Sequence, residues 1–279
     1  MVKSRDVRRV ETPATNHIGP DRQARVLVAP GQWEENDPFL LLMEDWYARG
    51  AFENHPHRGI ETVTYMLEGS NSHYDNHGHQ GVIGPGEALW MTAGRGLIHN
   101  EVPVDERPVH TLQLWVNLPR LTKMVKASVQ ELRADRVPTR ELSRGEARVF
   151  SGASGEVRAD TRNHASVTMV EVRLQPNANF QQDLPPDYNG FVVILEGAGV
   201  IGASATQVRA GQVAWLSHED EASSVAFATL EEPMRAILFA GRPLREHVVA
   251  HGPFVMNSEA EIQAAFADFR RQGAHFGLD

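Results

Sequence analysis

Two pairs of metal-binding side chains, each with one residue between its members, dominate the chemistry this sequence can offer. They are His55 and His57 in Asn54-His55-Pro56-His57-Arg58-Gly59, and His99 and Glu101 in Gly96-Leu97-Ile98-His99-Asn100-Glu101. On a β-strand residues i and i+2 point to the same face, so each pair would aim two ligands at one spot. Adjacent strands would merge the pairs into three imidazoles and one carboxylate, a set that leaves coordination positions free for chemistry. A lone His-x-His reads more readily as a solvated strand face or an expression tag, but two features favour a site. Pro56 cannot donate to a strand ladder, which places it at an edge, a strand start or a bulge. The second pair has the same spacing and follows Gly94-Arg95-Gly96, a turn able to swing a strand back across a barrel. The chain has no cysteine, which excludes disulfides, thiolate ligands and a thiol nucleophile, so a metal must use nitrogen and oxygen donors.

The elements that position these residues are short. From Arg25 to Gly241, β-branched or aromatic runs alternate with Gly, Pro, Asn and Asp, as in Phe39 to Trp46, Ile60 to Leu67, Val109 to Val116 and Val167 to Leu174, the pattern of a sandwich or barrel. One helix is predicted near the C-terminus. Ser258 and Glu261 form a capping box, and Ile262, Ala265, Phe266 and Phe269 repeat at helical spacing before Gly273. The halves echo each other: Thr64-Tyr65-Met66-Leu67-Glu68-Gly69 matches Val192-Val193-Ile194-Leu195-Glu196-Gly197, and Pro85-Gly86-Glu87-Ala88-Leu89-Trp90 matches Ala210-Gly211-Gln212-Val213-Ala214-Trp215. Superposing the repeats puts Asp183 opposite His55, Pro185 opposite His57 and Ser224 opposite His99, so the second barrel has lost its ligands. The polar stretch from Glu131 to Gly145, broken by Pro138 and Gly145, separates them. The expected division is residues 1–135, a metal-binding barrel, and residues 136–279, a degenerate one.

At 279 residues and 41% hydrophobic content the chain can fill two cores. A net charge of −9 argues against a broad phosphate-binding surface and direct nucleic-acid binding. No stretch is long and apolar enough to span a bilayer, and the start Met1-Val2-Lys3-Ser4-Arg5-Asp6 lacks the apolar block of a signal peptide. A cytoplasmic protein is the expectation. Among other histidines, His73, His77 and His79 fall in a segment rich in the turn formers Asp75, Asn76 and Gly78, and read as a solvated turn. His164, His218, His247, His251 and His275 read as surface or packing residues, and Glu61 as an Arg58 partner or a residue behind the ligands.

The runs His55-Pro56-His57-Arg58-Gly59-Ile60-Glu61-Thr62-Val63, Trp90-Met91-Thr92-Ala93-Gly94-Arg95-Gly96 and His99-Asn100-Glu101 resemble the signature of the pirin family within the cupins. The likeness extends to Asp37-Pro38-Phe39-Leu40-Leu41-Leu42, Gln113-Leu114-Trp115-Val116-Asn117-Leu118-Pro119 and Gly252-Pro253-Phe254-Val255-Met256-Asn257. Lys123 to Gln130 and Met43-Glu44-Asp45-Trp46 depart from the family pattern, both outside the ligand set. The resemblance implies an all-β fold of two cupin (double-stranded β-helix, or jelly-roll) barrels with a short C-terminal helix. It implies metal ligands at His55, His57, His99 and Glu101. The metal it implies is iron(II), although manganese, nickel, copper or zinc suit the same donors. It implies oxidative ring opening of quercetin or a related flavonol, with dioxygen consumed and carbon monoxide released; in that mechanism Glu101 is the candidate catalytic base, since a carboxylate that loosens from a metal can accept a proton, the plainer reading being that it only completes the charge balance. The rival expectation is a regulatory protein whose iron oxidation state controls binding to a protein partner without turnover. A zinc hydrolase, independent of oxygen, is a third.

Overall fold

The computed structural model of the chain describes residues 3–278. Strands dominate, and Phe39–Tyr47, Ile60–Glu68, Val109–Asn117 and Val167–Leu174 fall on the expected runs. The chain divides into two compact units. One holds the residues up to Pro13, Glu35–Asp37 and Asp135–Pro243; the other holds Ala14–Glu34, Pro38–Ala134 and the chain from Leu244 onward. The terminal segments are thus assigned crosswise, the first to the unit built from the second half of the chain and the last to the unit built from the first half. The polar stretch after Glu131 is no loose connector: Thr139–Leu142 forms a hairpin with Gly145–Ser151, and Ser128–Leu132 pairs with Ala88–Thr92.

The unit that carries the histidine pairs contains two sheets. The larger runs in the order Ser128–Leu132, Ala88–Thr92, Ile60–Glu68, Val109–Asn117, Phe39–Tyr47, Arg22–Val28, Asn16–His17. The smaller runs His55–His57, Leu97–Pro103, Asn71–Asp75, Gln80–Ile83. Leu40, Ile60, Met66, Leu89, Met91 and Leu97 are buried together in its core, each contributing about 1.5–3 kcal/mol by leaving water. Gly94 (φ +52°) and Gly96 (φ +144°) make the turn that carries the chain from the large sheet to the small one, and a Cβ on Gly96 would press on the Phe276 ring at 2.7 Å.

The helix forms where the sequence places it, over Glu259–Gln272. The Ser258 hydroxyl oxygen accepts from the Glu261 N–H at 3.3 Å. The Glu261 carboxylate reaches back to the Asn257 N–H at 3.0 Å, one residue earlier than in the reciprocal box. Ile262 and Ala265 bury against Phe254, Met256 and Phe276. This C-terminal segment clamps the turn that follows the first histidine pair. Arg58 donates to Asp268 at 2.9 Å and to the Arg95 carbonyl at 2.6 Å, and its guanidinium lies 4.6 Å from the Phe276 ring centre. Lys123, 1% exposed, donates to the Gly59 and Val255 carbonyls and to Asn117 Oδ1; burial pushes its ammonium down to about 7.

In the other unit Val192, Ile194, Val170, Val172, Phe227 and Leu238 belong to one core cluster. Its register repeats that of the first: Asp183 pairs with Ser224 where His55 pairs with His99. Imidazoles are absent at those positions. The neighbouring Ser223 hydroxyl instead accepts from the buried Arg5, and Arg5 N–H donates to the Ser224 carbonyl. Glu171, fully buried, accepts from Arg148, Arg173 and Arg235 at 2.7–3.3 Å. No helix among the described residues is long and apolar enough to cross a membrane.

Candidate metal centre

Both histidine pairs lie on the small sheet. His55–His57 is its edge strand, with Pro56 opposite Ile98, so the proline's missing N–H leaves no gap inside a ladder. His55 pairs directly with His99. Cross-strand partners project to the same side of a sheet, and the i, i+2 spacing adds His57 to that side. The ring centres of His55, His57 and His99 stand 4.5–5.1 Å apart. One ring nitrogen from each lies within 4.8 Å of the others.

The hydrogen bonding of these rings suits a cation. His57 and His99 are each 2% exposed, yet neither ring nitrogen of His57 and not Nε2 of His99 has a hydrogen-bond partner. Orphaned buried polar atoms cost free energy unless something else pairs them, and a metal ion among the three imidazoles would pair them. His55 Nδ1 lies 2.8 Å from the Glu53 carbonyl, which holds its proton there and leaves the Nε2 lone pair free. Burial, with His55 nearby, pushes His57 down to about 3. Burial also holds His99 well below the ordinary histidine range, helped by the three neighbouring imidazoles. Both rings are therefore neutral, and available as ligands, at physiological pH. With nitrogen and oxygen donors alone, the set fits a first-row transition metal.

Glu101 follows His99 by two residues on the same strand. Its Oε1 accepts from the Thr64 hydroxyl at 2.6 Å and its Oε2 from Gln113 Nε2 at 2.7 Å, so two side chains of the large sheet hold the carboxylate. It lies outside the group of atoms mutually within 4.8 Å. Burial raises its proton affinity against the opposing pull of Thr64, His73, His55 and Gln113. Trp115 stands edge-on to His57, 5.1 Å between centres and 82° between planes, with its buried indole N–H unpartnered. Phe52 flanks His55, 6.5 Å between ring centres.

The sequence reading of His73 needs correction. The turn forms over Asn76–Gly78, but His73 lies before it, on the strand Asn71–Asp75. That strand pairs Glu101 with His73 and His99 with Asp75. His73 is 2% exposed, and its Nδ1 is 3.4 Å from His99 Nδ1. Turn composition masked it; the signal available was its i, i+2 relation to Asp75. His77 and His79 do belong to the turn region, the first against the Gly96 carbonyl and the second against Asp75. Glu61 accepts from Thr92 at 2.9 Å and stands outside the cluster. In the other unit Asp187, His218 and Asp220 also come within reach of one cation, but Asp220 is 94% exposed and the group is an open surface ion-pair cluster.

Comparison with known proteins gives two family matches: the model described as Pirin over residues 23–116, and the Pirin C-terminal cupin domain over residues 169–277. The human protein Pirin is 40% identical over 240 residues, 84% of this chain and 81% of its own length. A Pseudomonas aeruginosa protein, whose name carries a provisional assignment as a quercetin 2,3-dioxygenase, is 35% identical over 97% of this chain and 98% of its own. A crystal structure described as quercetin 2,3-dioxygenase from Acinetobacter baumannii superposes with a TM-score of 0.85 at 29% identity, covering 96% of this chain and 97% of that one. Together they establish the all-β fold of two cupin domains.

Proposed function

The chain belongs to the pirin family, and from that premise we propose that it is a metal-dependent dioxygenase opening the ring of quercetin or a related flavonol. The observation that carries the reading is the convergence of three imidazoles, two of them buried, with both ring nitrogens of His57 and Nε2 of His99 lacking a hydrogen-bond partner. His55, His57 and His99 would hold iron(II), with Glu101 as the fourth ligand when its carboxylate turns from Thr64 or Gln113. Iron bound there supplies Lewis acidity toward the flavonol oxygens and a path for electrons to dioxygen.

The chain's own residues do the rest. Glu101 takes the proton of the flavonol 3-hydroxyl, a task suited to a carboxylate whose proton affinity burial has raised. Thr64 and Gln113 hold that carboxylate in place, and each donates to its charged form. Trp115 and Phe52 form an apolar wall that limits water, and the free indole N–H of Trp115 offers a donor to a substrate oxygen.

The test uses tag-free protein loaded with iron(II), mixed with quercetin without oxygen and then exposed to it. The expected result is loss of the flavonol matched by oxygen uptake and carbon monoxide release, strongly reduced in Glu101→Gln. An unchanged rate in Glu101→Gln removes Glu101 from proton transfer. Metal-loaded wild type that consumes no oxygen overturns the dioxygenase and leaves the partner-binding regulatory reading, whereas hydrolysis indifferent to oxygen points to the zinc chemistry.

A further inference from the structure

His73 and Asp75 lie beside His99, and the role proposed above for the imidazoles does not use them. His73 Nδ1 faces His99 Nδ1 at 3.4 Å, and His73 Nε2 faces Asp75 Oδ2 at 3.3 Å. The Asp75 side chain is fully buried. Its oxygens accept from the His77 and His79 N–H groups at 2.9 and 3.0 Å and face the His79 ring at 2.8 Å, so the carboxylate serves this network as an acceptor.

Those contacts order the protons along the chain of groups. A His73 ring that carries its proton at Nε2, toward the Asp75 oxygens, presents a lone pair at Nδ1. Facing that lone pair, His99 Nδ1 must carry its own proton. The His99 Nε2 lone pair is then left bare, and Nε2 is the buried nitrogen with no partner in the protein. The opposite tautomer of His99 would set two lone pairs against each other at 3.4 Å and bury an unpaired N–H. We propose that Asp75 and His73 are positioning residues that set the tautomer and ring orientation of His99, so that Nε2 is presented to the metal. The proposal rests on the metal reading above. It also distinguishes the three rings: His55 is set by the Glu53 carbonyl, His99 by an imidazole backed by a buried carboxylate, and His57 by the Pro253 backbone and packing against Trp115.

The experiment compares wild type, His73→Phe and His73→Asn, the last retaining an acceptor near the position of Nδ1. Two readouts are taken: cobalt(II) affinity by competition with a chelator, and the His99 tautomer in metal-free protein from nitrogen-15 shifts of the ring. Metal-free unfolding midpoints confirm that each variant folds; if His73→Phe does not, Asp75→Asn takes its place. Wild-type His99 is expected with its proton on Nδ1. His73→Phe is expected to bind cobalt(II) about 10–100-fold more weakly, the usual cost of losing such a partner, with His99 shifted to mixed tautomers, and His73→Asn to recover most of both. If wild type binds cobalt(II) and His73→Phe binds equally well, or keeps the same His99 tautomer, the positioning role is overturned while the metal site stands. Weaker binding that His73→Asn fails to recover assigns His73 to packing and also overturns it. Wild type that binds no cobalt(II) overturns the metal reading itself.

Discussion

Replacing His57 by Phe should make the metal-free protein more stable while removing its ability to hold metal. His57 is 2% exposed, and both of its ring nitrogens lack a partner. An unpaired buried polar group costs about 1–3 kcal/mol, so two such atoms set neutral His57 about 2–6 kcal/mol below an apolar ring in the same space. The larger phenyl ring offsets part of this, since overpacking a core costs about 1–3 kcal/mol, while the edge-on contact with Trp115 can be kept. The expected net gain without metal is about 1–3 kcal/mol. With metal the order narrows or reverses, because wild type gains about 2.7 kcal/mol at a hundred times the dissociation constant and the variant gains far less. Urea unfolding followed by tryptophan fluorescence reads the relevant unit, for Trp33, Trp46, Trp90 and Trp115 lie in it and Trp215 in the other. A metal-free His57→Phe protein less stable than metal-free wild type would refute the reasoning, because it would mean that those nitrogens are satisfied and the cavity is not built for a cation.

Three further outcomes follow from the structure. Gln113→Leu removes one of the two donors to Glu101; a hydrogen bond to a charged group is worth about 1.5–3 kcal/mol, so the acidic limb of the pH–rate profile should move up by about 1–2 pH units. An unmoved limb would mean that Glu101 does not control it. Gly59→Ala places a Cβ 1.9 Å from the Val255 carbonyl oxygen at a φ of +80°; the backbone strain alone costs about 1–2 kcal/mol, so hydrogen exchange should show the C-terminal segment loosened and metal affinity reduced. Glu171 is held below its ordinary value because three arginines outweigh the burial that would raise it. A carboxyl with a depressed folded pKa contributes its stability above the unfolded value and loses it as pH falls through the folded one. Acid titration below about pH 4.5 should therefore destabilise wild type more steeply than Glu171→Gln, and equal slopes would contradict the assignment.

The convergence of the three histidines was legible because strand geometry converts i, i+2 spacing into a shared face, and Pro56 marked the edge at which the first pair sits. The helix was legible for the same local reasons, its cap and apolar period lying within a few turns of each other. Glu101 was legible as a member of the second pair, but its tie to Thr64 and Gln113 depends on the facing of two sheets, which no local pattern encodes. Strand alternation in His73-Tyr74-Asp75 was present and was outweighed by the turn formers next to it. The crosswise assignment of the termini depends on pairings such as Arg58 with Asp268, 210 residues apart, where neither residue carries a sign of the other.

The proposed function requires His55, His57 and His99 to share one metal ion. X-ray absorption of tag-free protein loaded anaerobically with iron(II) reads that coordination out. The expected spectrum shows one iron per chain with three imidazoles and oxygen donors completing the shell. Substoichiometric iron, or fewer than three imidazoles around it, would contradict the claim.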